Sequence, residues 1–259
     1  MNAPPGIDKK ILRRMKYTSD QKGIMNRYLS EGDNWDQHLV RTRDFIVSCL
    51  EKSQAGSVAV LGSGWLLDVP LEFLCGHFKE VFLVDIVHPR QIVHKIKGIK
   101  NARLVSADVT GGAIEGAYNL VRNYRKTGSG NILDIACQAS LTGIKADYVI
   151  SLNILNQLDI LLVDFITGFI EVPEEEKAIF RKRIQQQHVN LLKSRCSCLI
   201  SDIEERILNR ENKIISTKSL VYADLPEGDL LEEWIWTFDT RGEYNPKHST
   251  EMLVRAICF

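Results

Sequence analysis

The sequence predicts an α/β fold: a doubly wound, mostly parallel seven-stranded sheet with helices on both faces, an antiparallel C-terminal strand and a helical N-terminal extension. Three observations carry that expectation. Short apolar runs of strand character recur between stretches with helical spacing, the order that builds parallel sheets from strand–helix–strand units. Those runs are apolar almost throughout, as strands covered on both faces are. The last part of the chain alternates instead, placing Trp234, Trp236 and Phe238 on one face of a strand. A loop from Asp239 to Thr250 then leads to a second apolar strand, Met252–Phe259.

Residues 1–54 form the expected helical extension or cap, and 55–259 the sheet domain. In the extension, Ile11, Leu12, Met15, Ile24, Met25, Tyr28 and Leu29 give one or two short amphipathic helices. The accompanying basic cluster of Lys9, Lys10, Arg13, Arg14 and Lys16 reads as a solvated helix face, with nucleic-acid contact as the competing reading. Gly32-Asp33-Asn34 supplies a break and a cap. Trp35, Leu39, Phe45, Ile46, Cys49 and Leu50 then make the helical stripe that delivers the chain to the first strand.

The sheet domain is organised around Ser57 to Pro70, where the strand Ser57–Leu61 runs into Gly62-Ser63-Gly64 and an apolar pattern with helical spacing resumes at Trp65. Glycines let a backbone approach a ligand closely, and the free N–H groups of a following helix favour polar or anionic ligand atoms. Such a turn, at the carboxyl end of a first parallel strand, marks the usual crevice of an open α/β sheet. A tight turn with no ligand would read the same way.

Downstream, Glu80–Asp85 is a buried strand closed by a carboxylate, roughly twenty residues past the glycines, where an acid can accept hydrogen bonds from ribose hydroxyls. The competing reading of Asp85 is a helix cap or turn carboxylate. A helix through Ile92, Ile96 and Ile99 precedes a third strand, Ala102–Asp108, that also ends in an acid. After Gly111-Gly112 comes a helix to about Arg125. The loop Lys126–Asn131 then reads as a mobile connection near the ligand edge. In the fourth strand, Asp147–Asn153, and its continuation to Leu158, Ser151, Asn153 and Asn156 turn polar groups to the same crevice. Helices over Ile160–Ile170 and Pro173–Lys193 lead to the fifth strand, Ser197–Asp202. Glu174, Glu175 and Glu176 complement the positive end of the second helix, a structural role. The tryptophans of the last hairpin read as core.

Composition narrows the partners. Lys plus Arg and Asp plus Glu are 33 each, so nothing in the total suggests a polyanion binder. No apolar run suits a membrane span or a signal peptide, which makes a cytoplasmic protein the expectation. Six cysteines are scattered with no Cys-x-x-Cys pair, so neither disulfides nor a metal site is expected. Cys196-Ser-Cys198 is a metal pair only on the less favoured reading, since it leads into an apolar strand.

Over Ser57–Phe259 the chain resembles the S-adenosylmethionine-dependent methyltransferases of the Rossmann-like class. The motifs that carry the resemblance are Val58–Gly64, Asp85, Asp108 and the fourth strand Asp147–Leu158, together with the antiparallel last strand, which nicotinamide-binding domains usually lack. The resemblance implies that Gly62, Ser63 and Gly64 line the methionine part of S-adenosylmethionine. It implies that Asp85, with Ile86 beside it, holds the ribose, that Asp108 and the Val109 amide hold the adenine, and that Ser151 to Asn153 hold the methionyl end. The sequence departs from the family pattern at Val60, where an acid is common, at Leu66 in place of a third glycine, and at Gln157 in place of a frequent His.

The function implied is transfer of a methyl group to a small-molecule acceptor, the extension and the Asp239–Thr250 loop, with Arg241, Tyr244 and His248, closing over it. A sulfonium already activates its methyl group, so alignment and exclusion of water suffice and no catalytic triad is required. His38, His88 and His248 are the candidate bases, each competing with an ordinary surface or core role. Two alternatives stand beside this reading. The departures at Val60, Leu66 and Gln157 suit a non-catalytic ligand-binding or scaffold protein, and the basic N-terminal cluster with Arg122, Arg125 and Lys126 suits RNA modification.

Overall fold

A computed structural model describes residues 7–51, 53–141 and 143–259. Residues 1–6 and 52 of the expected extension, and residue 142, lie outside the described residues. Among the described residues eight strands form one sheet: β1 (Ser57–Leu61), β2 (Glu80–Asp85), β3 (Ala102–Ser106), β4 (Tyr148–Leu152), β5 (Cys196–Leu208), β6 (Ile214–Ser219), β7 (Leu230–Asp239) and β8 (Ser249–Cys258). Seven of them lie in the order β3-β2-β1-β4-β5-β8-β7, and β6 pairs with β5 off that path. β1 to β5 pair in parallel, whereas β8 runs antiparallel to both β5 and β7.

The doubly wound sheet with an antiparallel C-terminal strand is therefore present, with one strand more than the seven expected. The sequence pattern stops the fifth strand at Asp202, because there the apolar run ends. In the structure β5 continues to Leu208 and carries β6 as a ribbon whose residues are all exposed. An exposed ribbon buries no face, and periodicity has nothing to report.

Helices cover both faces. On one side α3 (Asp33–Leu50), α4 (Leu71–His77) and α5 (Arg90–Ile96) bury Phe45, Ile46, Leu74 and Ile92 against Val58, Val60, Val81 and Ile150. On the other, α6 (Ala113–Thr127), α7 (Gln157–Thr167) and α8 (Glu174–Lys193) form a second layer, with Val189 and Leu192 of α8 packed on Ala59, Leu61, Val149 and Leu199. β1 is fully buried, since alternate side chains enter each layer. Cys198 is buried in β5 while Cys196 is exposed at its start, and the described residues contain no group of side chains able to hold a metal. No helix among them is long and apolar enough to cross a membrane.

The two remaining helices, α1 (Lys9–Arg14) and α2 (Tyr17–Glu31), lead into α3 through Gly32, whose φ of +52° turns the chain. Lys9, Lys10, Arg13, Arg14 and Lys16 are exposed, as a solvated face requires. Buried Glu31 ties this corner to the hairpin loop. It accepts hydrogen bonds from the Thr240 amide (2.8 Å), the Thr240 hydroxyl (2.8 Å) and the Arg241 amide (3.1 Å). Glu31→Ala strands those donors and should cost about 3 kcal/mol, read as an earlier urea midpoint, with Glu31→Gln recovering part of it.

Two histidines are buried in the core. His188 of α8 shares a 2.8 Å hydrogen bond with the Ser151 hydroxyl, and burial holds its ring down to about 4, against about 3 for His38. Both folded values lie below the ordinary 6.5, so their contribution to stability is complete above about pH 6.5 and is lost as pH falls toward them. Asp68 works in the opposite direction, because burial pushes its carboxyl up to about 6 and its stabilisation fades as pH rises through that value. In His188→Gln the loss of stability between pH 6.5 and 4 should be shallower than in the wild type by about 1.4 kcal/mol per pH unit. Paired denaturant melts across that range measure the difference, and equal slopes would contradict it.

Candidate active site

The strand order turns back at β1, whose neighbours β2 and β4 are reached in opposite directions, and the carboxyl ends of these strands surround a crevice. At the end of β1 the amides of Gly62 and Ser63 both donate to the Val84 carbonyl, and Gly62 (φ +85°) and Gly64 (φ +38°) bend the chain over β2. The Gly64 amide donates to Asp85 Oδ2 at 2.8 Å. Helix does not resume at Trp65, as the apolar spacing suggests. Residues 62–70 are irregular and α4 begins only at Leu71. The spacing reflects burial: Leu66, Val69 and Leu71 enter the core while Trp65 and Leu67 line the crevice. Leu66 adopts φ +57°, the left-handed backbone that the expected third glycine would accept freely, and its buried side chain offsets the strain.

From the neighbouring strands come Asp85 and Ile86, Asp108 and Val109, and Asn153. Asp85 Oδ1 also accepts from the Val87 amide (3.2 Å) and from Gln21 Nε2 of α2 (3.3 Å), and burial pushes this carboxyl upward. Asp108 spends both oxygens on the turn into α6, accepting from Thr110 N and Oγ1 and from Gly112 N. Asn153 sits at φ +51° and donates from Nδ2 to Asp68 Oδ2 at 2.8 Å, and the buried Asn156 does the same to Asp202 Oδ2.

These residues line one cavity of about 430 Å³, in the range of small-ligand sites. Gly62, Ser63, Gly64, Asp85, Ile86, Asp108, Val109 and Asn153 all reach it. Ser151 does not, contrary to the sequence reading: its side chain is fully buried toward α8 on His188, because alternation along β4 sends it to the opposite layer. The roof is made by Gln21, Ile24 and Arg27 of α2, Trp35 and His38 of α3, and Trp236 and Phe238 of β7. Trp236 is thus both core and cavity wall. The extension does close over the cavity as expected, and Asp202 was read as the end of the fifth strand, but sequence reasoning did not single out Asp68, Asp202, Gln21 or Arg27 as site residues.

Other expectations fail on position. Of the loop residues, Tyr244 reaches the cavity, whereas Arg241 and His248 line a separate surface depression with Asn209 and Lys247. His88 turns its Nε2 to the Val105 carbonyl and is absent from the wall. No residue of Lys126–Asn131 touches the cavity, because α6 carries the chain away from the carboxyl edge before that loop begins. His38 does line it, but the Trp234 indole donates to its Nδ1 at 3.1 Å, so Nε2 carries the ring proton and the group cannot serve as a base there.

β8 is inserted antiparallel between β5 and the edge strand β7. That is the sheet arrangement of the Rossmann-like methyltransferase fold. No family model and no curated protein matches the sequence. Similar solved structures include a 1,6-didemethyltoxoflavin-N1-methyltransferase of Burkholderia thailandensis, at 13% identity and TM-score 0.40 over 99% of this chain and 93% of the other. Another is the N-methyltransferase NodS of Bradyrhizobium japonicum (11%, TM-score 0.36, 84% and 85%). An amino pentose methyltransferase of Micromonospora echinaspora is a third (12%, TM-score 0.33), and this chain spans 86% of itself but only 64% of that one.

Within the methyltransferase fold, three features of the cavity fit a polar ligand at the glycine turn. Ser63 Oγ, Asn153 Oδ1 and Gln21 Oε1 are buried without partners. A Cβ built on Gly64 would stand 3.5 Å from Gln21 Nε2 and 3.7 Å from Asp85 Oδ2, in the cradle itself. The Asp85 carboxylate has its remaining lone pairs beside this cradle.

Proposed function

We propose that the protein binds S-adenosylmethionine and transfers its methyl group to a small-molecule acceptor. The observation that carries this reading is the convergence on one cavity of Gly62, Ser63, Gly64, Asp85, Ile86, Asp108, Val109 and Asn153, from four successive strand ends. Asp85 would hold the ribose diol, displacing the weak Gln21 contact. The Val109 amide and Ile86 would flank the adenine, with Asp108 shaping the turn around it, and Ser63 and Asn153 would meet the methionyl end. When bound, the cofactor supplies a methyl group already activated by sulfonium charge.

The chain itself orients and encloses. α2 and α3 roof the site, Trp65 Nε1 donates to the Gln21 carbonyl at 2.6 Å and Trp35 Nε1 to the Phe238 carbonyl at 3.0 Å, so the roof is fastened to both the glycine turn and the hairpin. A roof fastened in this way excludes water. Five aspartates and one arginine line the cavity, a balance that suits cationic ligands and disfavours a phosphate-rich acceptor such as RNA. Calorimetric titration with S-adenosylhomocysteine and with NADH tests the reading. Binding of the first alone is expected, and binding of NADH alone would overturn it.

A further inference from the structure

Deep in the cavity, where β4 gives way to α7 beside β5, two buried side chains hold each other and leave acceptors over. Asn156 Nδ2 donates to Asp202 Oδ2 at 2.8 Å, while Asn156 Oδ1 and Asp202 Oδ1 are buried with no partner. Asn156 is 4% exposed and Asp202 6%. The amide cannot be flipped to relieve this, since a flip would set its oxygen against a carboxylate oxygen. Both free acceptors belong to one hydrogen-bonded pair, so a single group that carries several hydrogens is suited to meet them together. A hydroxyl brings a single hydrogen, whereas an ammonium brings up to three.

The charges around the pair favour a cation. Asp68, bonded to Asn153, raises the negative potential on the same side of the cavity, and the carboxylates of Asp68 and Asp202 feel each other. Arg27, the one cationic side chain of the lining among the described residues, lies over the rings of Phe238 and Tyr244, 4.7 and 5.6 Å from their centroids. His38 adds no charge, because its ring stacks on Trp236 at 4.0 Å and accepts from Trp234 in its neutral form. Trp236, Phe238, Leu39 and Met252 supply an apolar and aromatic wall, which suits an ammonium on a compact organic body.

We infer that Asp202 and Asn156 form a recognition site for the ammonium group of a primary amine, which makes the methyl acceptor a small amine rather than an alcohol or a carboxylate. This rests on the methyltransferase reading of the adjoining cofactor site. Burial pushes the Asp202 carboxyl upward, so it is also suited to take a proton from the bound nitrogen. In that step an N–H bond breaks, its electron pair stays on nitrogen as the lone pair a methyl acceptor needs, and an O–H bond forms on Asp202. S-adenosylmethionine carries an ammonium of its own, and the same chemistry would recognise it. Asp202 ends the apolar part of β5, on the far side of β4 from the glycine turn, which favours the acceptor as its source.

The test uses benzylamine and its neutral isostere benzyl alcohol as probes, titrated into the full chain with and without S-adenosylhomocysteine, at a pH where the amine is charged. Benzylamine should bind at least about tenfold tighter than benzyl alcohol. That preference should vanish in Asp202→Asn and fall severalfold in Asn156→Ala, while S-adenosylhomocysteine affinity stays within about twofold. Equal affinity for the two probes, no binding of benzylamine at millimolar concentration, or a preference that survives both substitutions overturns the inference. A large loss of S-adenosylhomocysteine affinity in Asp202→Asn overturns it too, by assigning the site to the cofactor's ammonium. If S-adenosylhomocysteine fails to bind the wild type while the Asp202-dependent preference is present, the methyltransferase reading falls and the amine site stands.

Discussion

Asp85→Ala should weaken S-adenosylhomocysteine binding by about a hundredfold or more, equivalent to about 2.7 kcal/mol. The expectation follows from the geometry at the end of β2. Asp85 already accepts from the Gly64 amide, which fixes the glycine turn, and its other oxygen faces the cavity with the Val87 amide at 3.2 Å and a long contact from Gln21 at 3.3 Å. A ribose diol would exchange that contact for hydrogen bonds to a carboxylate, each worth about 1.5–3 kcal/mol. Truncation to alanine removes these bonds and frees the turn as well, so Asp85→Asn is the necessary companion: it keeps the shape, loses the charge and should fall between wild type and alanine. Isothermal titration of the three proteins, each shown by its thermal melt to be folded, gives the answer. Unchanged affinity in both variants would remove Asp85 from the site.

Gly62→Ala should cost several kcal/mol of stability, whereas Gly64→Ala, two residues on, should spare the fold and damage binding. A Cβ on Gly62 would lie 2.2 Å from Ile154 Cγ2 and 2.4 Å from the Leu152 carbonyl oxygen, at φ +85°. Neither neighbour can withdraw easily, because Leu152 ends a central strand and Ile154 packs against two core clusters on one face of the sheet. Overpacking of about 1–3 kcal/mol adds to left-handed strain of about 1–2 kcal/mol. At Gly64 a Cβ meets nothing closer than 3.5 Å, and what it meets is Gln21 and Asp85 across the cradle. Its fold cost is then backbone strain alone, while the methyl group occupies space meant for ligand. Denaturant midpoints and S-adenosylhomocysteine titrations on both variants separate the two effects. A Gly64→Ala protein that binds normally would show that no ligand enters the turn.

Much of this site was legible along the chain because parallel strands place their carboxyl ends at one edge whatever the helices between them do. Once Ser57–Leu61, Glu80–Asp85, Ala102–Asp108 and Asp147–Asn153 are read as such strands, the residues that follow each of them must meet. The glycine turn, Asp85, Asp108 and Asn153 do so. Ser151 shows the limit of that logic. It belongs to the same strand end, but a residue's parity within the strand decides which layer receives it, and the polar character of Ser151 says nothing about parity. His248 and Arg241 show another limit: a loop of known anchors can still fold outward, here drawn back by Asp239, whose carboxylate accepts from the amides of Gly242, Glu243, Tyr244 and Asn245.

Apart from the exposed β6 and the start of α4, local sequence was enough for the order of strands and helices, the antiparallel return of β8 and the edge at which a ligand would sit, since each depends on periodicity and on glycines within a few residues of one another. Which side chains close the cavity was settled by packing between segments far apart in the chain. Gln21 meets Asp85, His38 meets Trp234, and Asn156 meets Asp202. Such pairings arise when buried polar groups seek partners as the layers close, and that search takes place in space rather than along the chain.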